Sequence, residues 1–310
     1  MIDRASLPSE LHPLFPGAAA GQYTLSTPLP PGRLIVPAEA AAETGSGTGS
    51  DARSGSGSAA AGGEAGGGAP VMWLSDGPAP AGLWQELQRE HPRSGLWPLL
   101  LTRRVTDPRF RPWATGELHP ARASSPASHD PWALLRGWWN SPAVGRPDDP
   151  GQAKERDIML EPFGVDWPGP APSPAAAPDD DPDAAAAEVA HWLLHHDPGL
   201  RIGLVRADSG AEALAVCGWS VAGRRDPGEL AAVVLSWERR FGARVVEVGP
   251  DGLRLSTTVR QDDPDDLDGV LPIAAEHVAF CPDNVFKGTE SLIDYAQELV
   301  LEKCWSFWWH

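Results

Sequence analysis

The stretch that decides the fold is DPGELAAVVLSWERRFGARVVEVGPDGLRLST, residues 226–257. Asp226 stands before Pro227, and Glu229 follows three positions later, which is a helix-start signature. Leu230, Val233, Val234, Trp237 and Phe241 then recur at the spacing of one helix face. Gly242 closes the helix. Arg244–Val248 is β-branched and reads as a strand, Asp251-Gly252 marks a tight turn, and Leu253–Thr257 alternates like a hairpin partner. A helix feeding two antiparallel strands predicts α/β, with α+β possible.

Working outward, the same alternation holds. Before residue 226, Arg201–Arg206 reads as a strand and Asp208-Ser209-Gly210 turns into a helix, with Ser209 and Glu212 spaced as a capping box. Asp183 is the expected cap of a helix to about His196. After 257, a helix is expected from Pro272, another capped by Thr289 and striped by Leu292, Tyr295, Ala296 and Leu299, and a terminal aromatic strand, Cys304–Trp309. Toward the N-terminus, Arg33–Val36 and Val71–Leu74 read as strands. A helix over about 81–90 stopped by Pro92, a buried strand at 95–101 and a short helix at 131–140 follow. The expectation is a mixed sheet flanked by helices.

The domain boundaries follow composition. Residues 1–37 are an N-terminal loop and first strand. Residues 38–70 are a Gly/Ser/Ala-rich low-complexity insertion, expected to be disordered, between two strands of one sheet. Residues 71–167 are a Trp-rich α/β region, with 141–182 mainly connector. Residues 168–182 are a Pro/Ala/Asp linker, and 183–310 are a C-terminal domain.

The charge excludes some functions. The chain has 310 residues and a net charge of −17. Acids outnumber bases on both sides of residue 200, so a nucleic-acid binder is not expected, because the surface would repel phosphate. No apolar run approaches a membrane span, and the first residues lack a signal-peptide pattern. Three scattered cysteines make no disulfide framework. The expectation is a cytoplasmic protein.

The densest chemistry lies in Glu276-His277-Val278-Ala279-Phe280-Cys281-Pro282-Asp283-Asn284. His277 and Cys281 are four apart, so on one helix they share a face. A thiol–imidazole pair oriented by Glu276 or Asp283 would be a nucleophile. The plainer reading of the same residues is a helix end in the core, with Cys281 as a small buried side chain and Asp283-Asn284 as a turn. Cys217, His277, Cys281 and Cys304 lack the paired spacing of a zinc site, and no metal or cofactor is expected. His191 and His195 lack the following Glu of a metalloprotease helix. The acids from Asp262 to Asp268 lack the pattern of a calcium loop.

Fourteen tryptophans are the oddest feature of the composition. Trp219, Trp308 and Asn284 are candidate binding residues. Trp305, Phe307 and Trp309 alternate with Ser306 and Trp308. Such a strand is either central and buried on both faces, which is the favoured reading, or presents one face to a partner.

Residues 201–309 resemble a bacterial family defined by domain of unknown function 4253. The matching strings are Ala211-Glu212-Ala213-Leu214, Gly218-Trp219-Ser220, Leu235-Ser236-Trp237-Glu238, Phe241-Gly242-Ala243-Arg244, Ala275-Glu276-His277, Phe280-Cys281-Pro282-Asp283-Asn284 and Trp305-Ser306-Phe307-Trp308-Trp309. The resemblance implies a domain and no activity. The function expected from the residues is a non-enzymatic binding module whose partner is another protein; the alternative is a hydrolase or transferase using Cys281 and His277.

Overall fold

The computed structural model describes residues 6–37, 69–103, 118, 120–144, 149–173, 181–221, 225–259 and 267–310. Most of the low-complexity insertion (38–68), part of the 168–182 linker and Asp262, Asp263, Asp265 and Asp266 lie outside the described residues.

Seven strands among the described residues form one mixed sheet. They are β1 (Gly32–Ile35), β2 (Met72–Ser75), β3 (Leu96–Leu101), β4 (Arg201–Arg206), β5 (Arg244–Val248), β6 (Gly252–Ser256) and β7 (Cys304–Trp308). Their order across the sheet is β1-β2-β4-β3-β5-β6-β7. All neighbouring pairs are antiparallel except β3 and β5. Because β3 lies between β4 and β5, strands from both sides of residues 168–182 share the sheet. β1 and β2, the strands that flank the insertion, pair along their full length.

Alternate residues of the inner strands feed two cores, and β6 and β7 turn one face to the first of them. Trp97, Leu99, Leu101, Val205, Val245, Leu253, Leu255, Trp305 and Phe307 face one core. That core is closed by α2 (Pro131–Trp139), α5 (Gly210–Cys217), α6 (Pro227–Phe241), α7 (Leu271–Phe280) and α9 (Leu292–Leu301). Trp73, Leu96, Leu100, Ile202, Leu204 and Val246 face the other core, under α1 (Leu83–Ser94) and α4 (Pro182–His196). Leu7, Leu11 and Leu14, expected in a loop, pack into this second core, the last two from a short 3-10 segment, Ser9–Leu14. Their spacing of three to four residues gives one apolar side.

Four helices start at an Asp-Pro pair: Asp130-Pro131, Asp149-Pro150, Asp181-Pro182 and Asp226-Pro227. In each the carboxylate accepts an N–H of the first turn, and the proline occupies a position whose N–H has no partner in the helix. The pair at 149–150 starts α3 (Pro150–Met159), a helix where a connector was expected. The pair at 181–182 starts α4 two residues before the expected cap, Asp183. Ser291, rather than Thr289, caps α9 by accepting the Asp294 N–H. Pro92 does not stop α1. It sits in the last turn, and Gly95, with φ 63°, ends the helix in the left-handed region.

The reading of the terminal strand as central is overturned. β7 is the last strand in the sheet order. Trp305 and Phe307 are buried, whereas Cys304, Ser306 and Trp308 are half-buried. Bulky residues on both faces therefore do not mean cover on both faces here.

Candidate functional site

Helix α7 carries Glu276 and His277. From Ile273 to Phe280 all of its residues are buried, so its charged groups must find partners inside the protein. Glu276 is fully buried and meets its need with four donors. Its Oε1 accepts from the Ala171 N–H at 2.7 Å and from Arg240 at 3.0 Å. Its Oε2 accepts from the Trp237 indole at 2.7 Å and from Arg240 at 2.6 Å. Arg240 also donates to the Ala171 carbonyl at 3.0 Å and lies over the Trp132 ring, 4.3 Å from its centre. This ion pair ties α6, α7 and the segment around Ala171 together. Every site on the carboxylate is engaged within the fold.

His277 is fully buried among the rings of Trp305, Phe307 and Trp237, at centroid distances of 4.5, 4.9 and 5.1 Å. Burial, with Arg240 nearby, pushes its pKa down to about 3, so the ring is neutral. The tautomer follows from its neighbours. The Asn284 Nδ2 donates to the Tyr295 hydroxyl at 2.8 Å, and this hydroxyl lies 3.1 Å from His277 Nδ1. The hydroxyl therefore gives its one proton to Nδ1, and the imidazole proton is on Nε2. Nε2 has no hydrogen-bond partner and is enclosed by the aromatic rings, where an N–H against a π face is a weak bond.

Helix α7 ends at Phe280, and Cys281 leaves helical geometry with φ −136° and ψ 86°. The Cys281 N–H still closes the last turn on the His277 carbonyl at 2.7 Å, but no hydrogen bond joins the two side chains. The Cys281 thiol points instead to the Trp308 carbonyl at 3.0 Å and Asn284 Oδ1 at 3.2 Å. Burial pushes its pKa up to about 12. The polar chain runs His277–Tyr295–Asn284–Cys281, entirely inside the protein.

Pro282 leads into α8 (Asp283–Phe286), one helical turn. The side chains of Asp283 and Asn284 were expected to bond their own turn, but Asn284 reaches β7 and Asp283 the residue beyond Trp309. Asn284 Nδ2 donates to the Ser306 carbonyl at 2.7 Å, and its Oδ1 accepts from the Trp308 N–H at 3.4 Å. Asp283 accepts the His310 N–H at 2.7 Å and pairs with Lys287 at 3.0 Å. On the other side, Phe307 and Trp305 pair with Leu253 and Leu255 of β6, and the Trp309 N–H donates to the Asp251 carbonyl at 2.9 Å. The outward backbone groups of the edge strand are thus occupied by α8. The carboxamide imitates a neighbouring peptide unit, one way of covering an edge that would otherwise pair with another chain.

Among the remaining candidates, Trp219 is fully buried, with its indole donating to the Gly249 carbonyl at 2.8 Å. Among the described residues no group of three or more His, Cys, Asp or Glu is placed to hold a metal ion. Cys217 lies on α5 and Cys304 on β7, and neither joins the His277 network. Ser209 accepts the Glu212 N–H, as a capping box should.

Trp308 is different. It lines a cavity of about 570 Å³ on the face of β6 and β7 opposite His277, with Trp192, Asp197, Asp251 and Arg254. A second cavity of about 420 Å³ adjoins it and shares Trp192, Arg254 and Ser306. Together they make a groove between α4 and the outer face of β7. Sequence reading missed Trp192, although a signal existed. The buried stripe of α4 is Ala186, Val189, Ala190 and Leu193. At 3.6 residues per turn, Trp192 is rotated about 100° from the middle of that stripe.

No curated protein and no solved structure matches the chain. One family profile does match, over residues 201–310, which supply β4 to β7 and α5 to α9 and contain the whole 276–284 segment. The profile is that of DUF4253, a domain of unknown function.

Proposed function

We propose that this protein is a non-enzymatic binding module that acts in the cytoplasm by contact with another protein. The observation that carries the reading is the burial of Glu276, His277, Cys281 and Asn284 inside the fold, where their polar groups, His277 Nε2 apart, are held by other parts of the chain. Glu276 is held by four donors, His277 by Tyr295, and Asn284 and Cys281 by the backbone of β7. A nucleophile needs a thiolate within reach of substrate. A buried thiol at about pKa 12, with no side-chain hydrogen bond to an imidazole at about 3, weighs against the rival hydrolase or transferase reading. The excess of acids supports a basic partner, and electrostatic steering would raise the association rate. The three free thiols and the lack, among the described residues, of a helix long and apolar enough to cross a membrane support the placement in the cytoplasm.

The test is affinity capture with the tagged full chain at low and high salt. A partner enriched at low salt and reduced at high salt is the expected result. No enriched partner at either salt concentration would sink the reading.

A further inference from the structure

We propose that the groove over the outer face of β6 and β7 is the docking site for a cationic segment of a partner protein, whose arginine or lysine side chains lie against Trp192 and Trp308. This rests on the interaction-module reading and adds where the partner sits and what chemistry it carries.

The position comes from the sheet. Helix α4 packs chiefly on β5 and β6 and meets the β7 end of the sheet near Lys303 and Cys304, so Ser306 and Trp308 on the outer face of β7 stay half-exposed. The walls are apolar where solvent would favour polar groups. Trp192 is 51% exposed and Leu301 80% exposed, and both line the groove. An exposed indole face beside carboxylates attracts a cation, and guanidinium stacks on it best.

The charges in the groove are unbalanced. Arg254 is held by Glu247 at 2.8 Å, and Lys303 by Glu188 at 3.2 Å. Among the described residues no salt bridge joins Asp197 or Asp251 to a basic group, and the Arg254 charge that Glu302 feels is already held by Glu247. Burial and the neighbouring Glu298 push the Glu302 carboxyl upward, a cost that an incoming cation would relieve. A second copy of this chain would bring the same acids against each other, and nucleic acid would be repelled. The partner cannot add a strand to β7 at Ser306 and Trp308, because Asn284 already occupies those backbone groups. It must bind through side chains across the strand face.

The test uses the full chain with a capped hexa-arginine peptide, and hexa-glutamate as control. Binding is followed by calorimetry and by the indole N–H signals in NMR, assigned through single Trp→Phe variants. The expected result is binding by hexa-arginine alone, with shifts confined to Trp192 and Trp308. Trp192→Ala should weaken it about tenfold, and Asp251→Asn about threefold. Both positions are exposed, so the variants keep the fold. The inference is overturned if hexa-arginine does not bind or moves no indole signal. It is also overturned if the peptide shifts Trp132 and Trp167 of the separate cavity beside α2, if Trp192→Ala binds as tightly as wild type, or if the groove proves to be covered by a second copy in sedimentation. Capture of the same cellular partner by wild type and by Trp192→Ala/Asp251→Asn would remove this docking site and leave the interaction reading standing. No capture by wild type would remove the reading itself.

Discussion

Strands β6 and β7 have two faces built from alternating residues, and the two faces have opposite character. Leu253, Leu255, Trp305 and Phe307 point inward to His277, Trp237 and Phe280 and are buried. Arg254, Ser306 and Trp308 point the other way and are half-buried beside an open groove. The inward face carries the residues that look catalytic in sequence, and there they are consumed by structure. The outward face carries residues that look ordinary, and there they meet solvent. Position relative to the sheet, more than residue type, separates a group that can bind something from one that cannot.

The comparison breaks most easily at Glu276. Glu276→Ala leaves Arg240 without its buried partner and orphans the Trp237 and Ala171 N–H groups, so it should cost about 3–5 kcal/mol in denaturant unfolding. A loss below 1 kcal/mol would mean that the inward face is not held as described. Next comes Asn284→Ala, at about 1–3 kcal/mol for a buried hydrogen-bonding group left unsatisfied. It should also speed amide exchange at Trp308, because the edge of β7 is uncovered. Unchanged exchange there would separate α8 from edge protection.

A third effect depends on pH. Below its ordinary pKa of 6.5, the unfolded chain takes up a proton at His277 that the folded chain refuses until about pH 3. The unfolded state binds more protons in that window, so stability is full above pH 6.5 and falls as pH drops, by at most about 1.4 kcal/mol per unit from this group. His277→Gln should flatten that part of the wild-type slope between pH 7 and pH 5; an equal slope in both proteins would show that His277 is accessible to protons. The smallest effect belongs to the outward face. Trp192→Ala should shift stability by no more than about 0.5 kcal/mol, as an exposed side chain does. A larger loss would make the groove part of the core.

Much of the architecture was legible because its signals are local. The alternation of β5 and β6, the stripe of α6 and the Ser209 capping box each follow from a few adjacent residues. Helix α3 is marked equally locally, by Asp149-Pro150, but the surrounding Pro- and Gly-rich residues read as connector. The role of Asn284 was not legible. Its partners Ser306 and Trp308 lie more than 20 residues away, and only the sheet order brings α8 to the edge of β7. The same holds for Glu276 and Ala171, 105 positions apart. The burial of β7 could not be settled either, since its residues alternate large and small without telling which face a helix covers. For the candidate site, sequence located the right segment and left its orientation open.

The most direct measurement is the alkylation rate of Cys281 in the native protein, followed by mass spectrometry against Cys304 and Cys217. If residues 276–284 are an internal brace, Cys281 reacts only when the molecule unfolds. Its labelling free energy then equals the global stability, while half-buried Cys304 reacts first. If Cys281 instead reacts in the native state at a rate near that of a free thiol, the segment opens to solvent and the account is wrong.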